Sequence, residues 1–143
     1  MKKITLSFLF ALSVFAINAQ NWQTDMKIAE KIATKENKKI VLVFQGSDWC
    51  APCIKLDKKI WSSEEFKAYS KKKFVMVKVD FPRRKKNKLN ENQQKINAEL
   101  AEKYNKKGAF PMVVVMDSNK IILGRTGYKN ISPSDYIKLL SSF

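Results

Sequence analysis

The sequence contains no histidine, only two cysteines, and far fewer acidic than basic residues. Without histidine, a cysteine hydrolase or transferase that relies on a Cys–His pair has no general base. A closed structural zinc site is disfavoured as well, because it needs four ligands and the chain offers two thiols. The two cysteines lie close together, so none is left for a separate framework of disulfides. Thiol–disulfide exchange is the chemistry that these residue types support.

The charge balance is strongly positive, with 28 Lys and Arg against 13 Asp and Glu and a net charge of +15. Such an excess suggests a nucleic-acid partner, but the basic residues are spread along the chain. The one dense run, residues 83–88, has no interleaved aromatic residue, although Phe81 lies nearby. We predict a solvated surface loop and no role in nucleic-acid binding. Attraction to acidic proteins or anionic surfaces is the alternative.

The two cysteines occur in the motif WCAPC at residues 49–53. An apolar run at 40–44 precedes the motif, and an amphipathic pattern at 54–61 follows it. The pattern predicts a buried strand, a loop, the cysteine pair and then a helix. Cys50 then lies at the helix N-terminus with its sulfur exposed, and Cys53 lies about one turn further along.

A helix N-terminus favours an anion, because its first N–H groups are unpaired and the helix dipole is positive there. A thiolate of Cys50 is therefore a usable nucleophile near neutral pH. Attack on a target disulfide gives a mixed disulfide, which Cys53 is placed to resolve. Two other interpretations stay open: a soft-metal carrier that uses the two thiolates, and an inert disulfide, which closes too short a loop to stabilise the fold much.

The strand, the Trp-Cys-x-x-Cys motif and the helix together resemble the thioredoxin superfamily. The form GSDWCAPC at 46–53 is similar to secreted bacterial thioredoxin-like proteins. The resemblance spans roughly residues 22–143. It implies an α/β thioredoxin fold, in which a mixed central β-sheet is flanked by helices on both faces. The implied function is an exported thiol–disulfide oxidoreductase that acts on protein disulfides, with reduction only slightly favoured over oxidation.

The resemblance also assigns a role to Phe110 and Pro111. In the thioredoxin fold a cis-proline precedes a central strand beside the cysteine pair, and Pro111 stands immediately before the apolar run 112–116. The resemblance implies that Phe110 and Pro111 hold an extended substrate segment, in the manner of β-augmentation. The alternative is a trans-proline that starts a strand.

In one respect the sequence departs from the family. Thioredoxins carry a buried Asp six residues before the first cysteine, where this chain has Phe44. Candidate replacements are Asp48, Lys55 and Asp57; a carboxylate near the sulfur disfavours its thiolate and an ammonium favours it. The residues that we expect to shape the active site are Asp48, Trp49, Ala51, Pro52 and Lys55.

Other elements follow from local patterns. A helix is predicted over 20–39, with Trp22 stapling its start. Residues 81–92 are predicted to be an inserted loop with little reason to order. A further helix is expected from residue 93 to a C-cap at Gly108, and a final helix begins at Ser132 with a proline in its first turn.

The N-terminus has the pattern of a secretory signal peptide. The basic start at 1–3 precedes an apolar run at 4–17, and Ala19 is a suitable cleavage site. We predict a signal peptide over 1–19 and a single thioredoxin-like domain over 20–143, in the periplasm or secreted. A retained N-terminal anchor is the alternative, although the apolar run is short for a membrane span.

These predictions define the expected partners. The electrons reside on the redox-active disulfide Cys50–Cys53, so no metal and no organic cofactor is expected. Partners are protein thiol or disulfide substrates and a membrane or periplasmic redox protein. We expect a monomer, with no stable membrane insertion after cleavage.

Overall fold

The computed structural model describes residues 20–143, so the predicted signal peptide lies outside the described residues. Four strands form a mixed sheet in the order β2-β1-β3-β4. Strand β1 pairs in parallel with β2 and antiparallel with β3, and β3 pairs antiparallel with β4. The helices are α1 (Met26–Glu36), α2 (Ala51–Leu56), α3 (Glu64–Lys73), α4 (Glu91–Tyr104) and α5 (Pro133–Ser141). The strands are β1 (Lys39–Gln45), β2 (Phe74–Asp80), β3 (Met112–Met116) and β4 (Ile122–Thr126).

Helices cover both faces of the sheet, as predicted. The two faces of the central strands are both buried, and the strands accordingly carry apolar side chains on each face. One face of β1 packs against α2, α3 and α5, around the buried side chains of Trp61, Phe66 and Tyr136. The other face packs against α1 and α4, around Phe44 and Tyr104. No helix within residues 20–143 is long and apolar enough to cross a membrane.

The chain before α1 differs from the prediction. The helix begins at Met26, capped by Asp25, while Gln23 forms a parallel bridge to Val77 at the edge of β2. Because this segment is extended, Trp22 points to the opposite face from α1 and meets the ring of Trp61 at 6.0 Å. The predicted staple between Trp22 and α1 is therefore wrong.

The start of α5 agrees with the prediction from sequence, whereas the end of α4 differs from it. Ser132 caps α5 by accepting the N–H of Asp135 at 3.1 Å, as predicted. Helix α4 ends at Tyr104, before the predicted cap at Gly108, because the side chain of Asn105 closes the following loop. That amide accepts from the N–H of Ala109 and donates to its carbonyl.

Candidate active site

The cysteine pair lies where the central strand meets a helix. β1 ends at Gln45, and Cys50 is the N-cap residue of α2, which continues into a π-helical turn at Asp57–Trp61. Cys50 and Cys53 are joined by a disulfide, with their Cα atoms 5.2 Å apart. The backbone N–H of Cys53 donates to Sγ of Cys50 at 3.4 Å. The sulfur of Cys50 thus takes the place of an oxygen cap at the start of the helix.

Cys50 is less exposed than predicted. Cys50 is 5% exposed and Cys53 is 3% exposed. The reason is the cap geometry, because Sγ of Cys50 turns into the first turn of α2, toward its partner sulfur. Ala51 and Pro52 are exposed and form the outer surface of the motif.

The Phe110–Pro111 segment lies beside the loop that carries the cysteines. Its peptide bond is cis. Met112, the next residue, pairs with Phe44 in the antiparallel β1–β3 ladder, so Pro111 lies at the end of β1 from which the cysteine loop departs. The ring of Phe110 contacts the ring of Trp49 edge-on, with centroids 5.6 Å apart. The structure therefore brings together the two segments that the sequence marked as functional.

A glycine after β4 allows close packing against this proline. A Cβ at Gly127 would lie 3.1 Å from the carbonyl oxygen of Pro111, which is tight. The carbonyl of Gly127 in turn accepts the hydroxyl of Tyr136 at 2.8 Å. Burial raises the pKa of Tyr136 above its ordinary value, so this hydroxyl stays a donor. α5 thus supports the segment against which Pro111 lies.

The carboxylate of Asp48 binds the insertion, and its role as a replacement for the family's buried Asp stays a prediction. Its carboxylate accepts the backbone N–H groups of Arg83 at 2.9 Å and Arg84 at 3.0 Å, and the side-chain amide of Asn87 at 2.8 Å. These hydrogen bonds, that from Arg83 foremost, hold the pKa of Asp48 below its ordinary range. Because three donors from the insertion bind its carboxylate, Asp48 anchors the insertion to the cysteine loop.

The insertion at 81–92 is therefore ordered over the active site, contrary to the prediction. The indole N–H of Trp49 donates to the carbonyl of Phe81 at 2.7 Å. The guanidinium of Arg83 stacks on the same indole, 3.8 Å from the ring centroid. The rings of Phe81 and Phe110 meet edge-on at 5.6 Å. A 3-10 turn at Lys85–Asn87 then leads toward α4.

Neighbouring polar groups tie the cysteine loop to β2 as well. The carboxylate of Asp80 accepts the backbone N–H of Ser47 at 2.9 Å and its hydroxyl at 2.6 Å. The backbone N–H of Phe81 donates to the carbonyl of Gln45 at 2.9 Å. Sequence reasoning missed Asp80, Phe81 and Arg83 as site residues. The sequence signal for this contact was an acidic residue beside the motif, Asp48, together with the cationic run at 83–88.

The remaining candidates lie around the pair. Lys55 and Asp57 are exposed on the helix that follows Cys53, and their influence on the sulfur stays a prediction. Phe44 is fully buried in the core, where the family has its Asp. Within residues 20–143, His, Cys, Asp and Glu form no group of three or more that could hold a metal ion.

Comparison with known proteins decides the family. The family model described as Thioredoxin-like matches residues 21–118, more than half of the chain. The chain belongs to the thioredoxin-like family. The sequence had predicted this family from the cysteine motif and its flanking elements, and that prediction is confirmed.

Relatives within the thioredoxin-like family define the chemistry. The disulfide bond reductase DsbH of Chlamydia pneumoniae is 36% identical over 129 residues, which cover 90% of this chain and 75% of that protein. A solved structure of a DsbH oxidoreductase superposes with a TM-score of 0.77 at 31% identity, covering 99% of this chain and 92% of that one. This protein is a thiol–disulfide oxidoreductase, as predicted.

A more distant structure shows the fold alone. A thioredoxin from Thermus thermophilus superposes with a TM-score of 0.63 at 15% identity, over 87% of each chain. Together with the DsbH structure, it confirms the predicted thioredoxin fold.

Proposed function

We propose that this protein is an exported reductant of protein disulfides, in which Cys50 is the nucleophile and Cys53 the resolving thiol. The observation that carries the assignment is the N–H of Cys53, which is aimed at Sγ of Cys50 at the start of α2. In the reduced protein the same donor and the helix dipole favour the thiolate of Cys50 over that of Cys53.

The exchange balances within the two disulfides. The thiolate of Cys50 attacks one sulfur of the substrate disulfide, whose S–S bond breaks as the mixed disulfide forms. The released substrate sulfur leaves as a thiolate and takes up a proton. The sulfur of Cys53 then attacks Sγ of Cys50, which expels the second substrate thiol. The protein is oxidised by two electrons and the substrate is reduced by two.

The surface beside the pair offers a seat for an extended substrate segment. Pro111 has no N–H, and the backbone at Phe110 is free of the β-ladder that begins at Met112. We assign Phe110 and Pro111 to substrate binding by short β-augmentation. Trp49, Ala51 and Pro52 form the adjoining surface, because the latter two are exposed and the indole contacts Phe110.

The proposal requires no metal and no organic cofactor, because both electrons are carried by the sulfurs of Cys50 and Cys53. It does require a membrane or periplasmic redox partner that reduces the disulfide again. We further propose that the protein acts as a monomer on protein substrates and has no nucleic-acid partner.

Export is proposed from the signal-peptide pattern of residues 1–19. N-terminal sequencing of the protein from the periplasm and from the medium tests this. A mature N-terminus at Gln20 in either fraction supports export and cleavage. An intact Met1 in the membrane fraction would show that the N-terminal segment is a retained anchor and not a cleaved signal peptide.

The direction of electron flow is supported by the relative named a disulfide bond reductase. Its test is the reduction potential of the purified protein, measured by equilibration in dithiothreitol or glutathione buffers. A value near that of thioredoxin, roughly −270 mV, supports a reductant. A value near roughly −120 mV would reverse the proposed direction.

A trapping experiment tests the two cysteine roles. Cys53→Ser is expected to abolish turnover and to accumulate a mixed disulfide on Cys50, detected by mass spectrometry under non-reducing conditions. Cys50→Ser is expected to accumulate none. If Cys53→Ser traps nothing and the wild-type pair shows no reversible two-electron transition, the oxidoreductase role fails. Stoichiometric copper(I) binding would then favour the soft-metal carrier.

A further inference from the structure

The insertion presents a cluster of positive charge beside the active site. We call the side chains of Arg83, Arg84, Lys85, Lys86 and Lys88 the basic rim. All five residues are exposed. Ion pairs within residues 20–143 involve other side chains. Residues 81–92 contain only one acidic residue, Glu91, so the segment carries a net charge of +4.

The backbone beneath the basic rim is held in place by hydrogen bonds. The carboxylate of Asp48 binds the backbone of Arg83 and Arg84 and the side chain of Asn87, which brackets the 3-10 turn. Like charges at neighbouring positions repel, so ordering the segment costs free energy that a disordered, solvated loop would avoid. Three hydrogen bonds to one ionised acceptor offset that cost. The backbone that carries these five cations is therefore anchored beside the cysteine loop, which concentrates positive charge there.

The basic rim adjoins the proposed substrate seat. Phe110, beside the cis-proline, contacts Trp49 on one side and Phe81, at the start of the insertion, on the other. The guanidinium of Arg83 lies on the indole of Trp49, the residue before Cys50. A segment bound along Phe110 and Pro111 would therefore lie close to Phe81, the first residue of the insertion.

We propose that the basic rim is a docking site for acidic protein segments that flank the target disulfide. This inference rests on the proposed function, because it names the class of substrate for the same site. Carboxylates near a substrate cysteine would be attracted over about a Debye length, roughly 10 Å at 0.1 M salt. Arg83, Arg84 and the lysines also offer hydrogen-bond donors at contact. The rim thus selects acidic substrates and accelerates their encounter with Cys50.

The test uses synthetic peptides that share one intramolecular disulfide and differ only in flanking aspartate, asparagine or lysine residues. The reduced protein is mixed with each peptide, quenched with acid, alkylated and analysed by mass spectrometry. The second-order rate constant for oxidation of the protein is the readout. At low salt we expect the aspartate peptide to react about tenfold faster than the lysine peptide. The ratio is expected to approach one at about 1 M salt, where the Debye length is about 3 Å.

A matched pair of variants separates the rim from net charge. Lys85→Gln/Lys86→Gln/Lys88→Gln is expected to slow the aspartate peptide toward the rate of the asparagine peptide. The control is Lys35→Gln/Lys72→Gln/Lys73→Gln, in which the replaced lysines are exposed. They precede the starts of β1 and β2, whereas the cysteine loop follows the end of β1, so they lie at the opposite end of the sheet. The control is expected to keep the wild-type preference.

Four results would overturn the inference. Equal losses in the two triple variants would assign the effect to net charge. Equal rates for all peptides with the wild-type protein would remove the preference while leaving the proposed function intact. Equal peptide rates together with rim-dependent binding to phosphatidylglycerol vesicles would reassign the rim to an anionic membrane. If neither the peptides nor 2-hydroxyethyl disulfide oxidise the protein, the proposed function fails, and the inference fails with it.

Discussion

The carboxylate of Asp48 accepts the backbone N–H of Arg83 at 2.9 Å, although 35 residues separate the two in the chain. The same carboxylate binds Arg84 and Asn87, so one side chain before the cysteine motif anchors the whole basic insertion. Trp49, the next residue, repeats the connection through its indole. The cysteine loop and the insertion therefore behave as one structural unit.

Asp48→Asn is expected to loosen the insertion. An amide is a weaker acceptor than a carboxylate, so the bonds from Arg83, Arg84 and Asn87 cannot all be kept. The measurement is the rate of trypsin cleavage within 83–88, followed by mass spectrometry, which should rise several-fold as local opening becomes more frequent. Asp57→Asn, which changes an exposed carboxylate after the motif, is the control and should leave the rate unchanged. Equal cleavage of both variants and the wild type would contradict the anchor.

The anchor is also expected to respond to acid. Hydrogen bonds from Arg83 and Asn87 lower the pKa of Asp48 in the folded protein. Its contribution to stability is therefore complete above the ordinary aspartate pKa, about 3.9. It is lost as the pH falls through the lower value of the folded state.

The indole N–H resonance of Trp49, assigned with Trp49→Phe, reports this transition in nuclear magnetic resonance spectra. In the wild type it should shift at acid pH as the bond to Phe81 weakens. In Asp48→Asn it should show no such titration. The same titration in both proteins would exclude Asp48 as the titrating group.

Gly46→Ala is expected to displace the indole of Trp49. A Cβ at Gly46 would overlap the indole ring, and overpacking of this kind typically costs about 1–3 kcal/mol. The variant should unfold at lower urea concentration and should also shift the indole resonance of Trp49. Gly108→Ala is the matched control: it has open space but a φ of +63°, so it should lose about 1 kcal/mol from backbone strain. Its Trp49 resonance should stay in place.

Tyr136→Phe is expected to weaken the support of the cis-proline segment. It removes the hydroxyl that donates to the carbonyl of Gly127, and the loss of this part-buried hydrogen bond should cost about 0.5–1.5 kcal/mol. Urea unfolding gives the stability, and the rate of reduction of a neutral disulfide peptide gives the activity; both should fall. Tyr128→Phe removes an exposed hydroxyl that donates to Asn130 at 3.3 Å and should be close to neutral. A neutral Tyr136→Phe would show that Gly127 needs no such support.

The parts of the site that were predictable from sequence are those encoded locally. The apolar run before the cysteines, the proline in the first turn of α2 and the cap at Ser132 each act over a few residues, and the structure contains all three. The position of Pro111 was also found, because the resemblance specifies a proline at the start of a central strand.

The anchor at Asp48 could not be predicted, because it joins residues far apart in the chain. Neither an isolated carboxylate nor a basic run specifies its partner, and a basic run alone is typical of a solvated loop. Trp22 was misplaced for a similar reason. Its direction depends on the bridge between Gln23 and Val77, a contact between segments that local periodicity does not relate.

The bonds from Asp48 and Trp49 across to the insertion bear on how this scaffold can be engineered. A graft of residues 46–53 onto another thioredoxin-like protein would transfer the carboxylate of Asp48 and the indole of Trp49. Their partners in residues 81–92 would be missing from the recipient. Conversely, shortening the insertion in this chain would remove the hydrogen-bond donors to Asp48. It would also remove the carbonyl and the guanidinium that contact the indole of Trp49. The motif and the insertion are therefore a single exchangeable module, although 27 residues lie between them in the sequence.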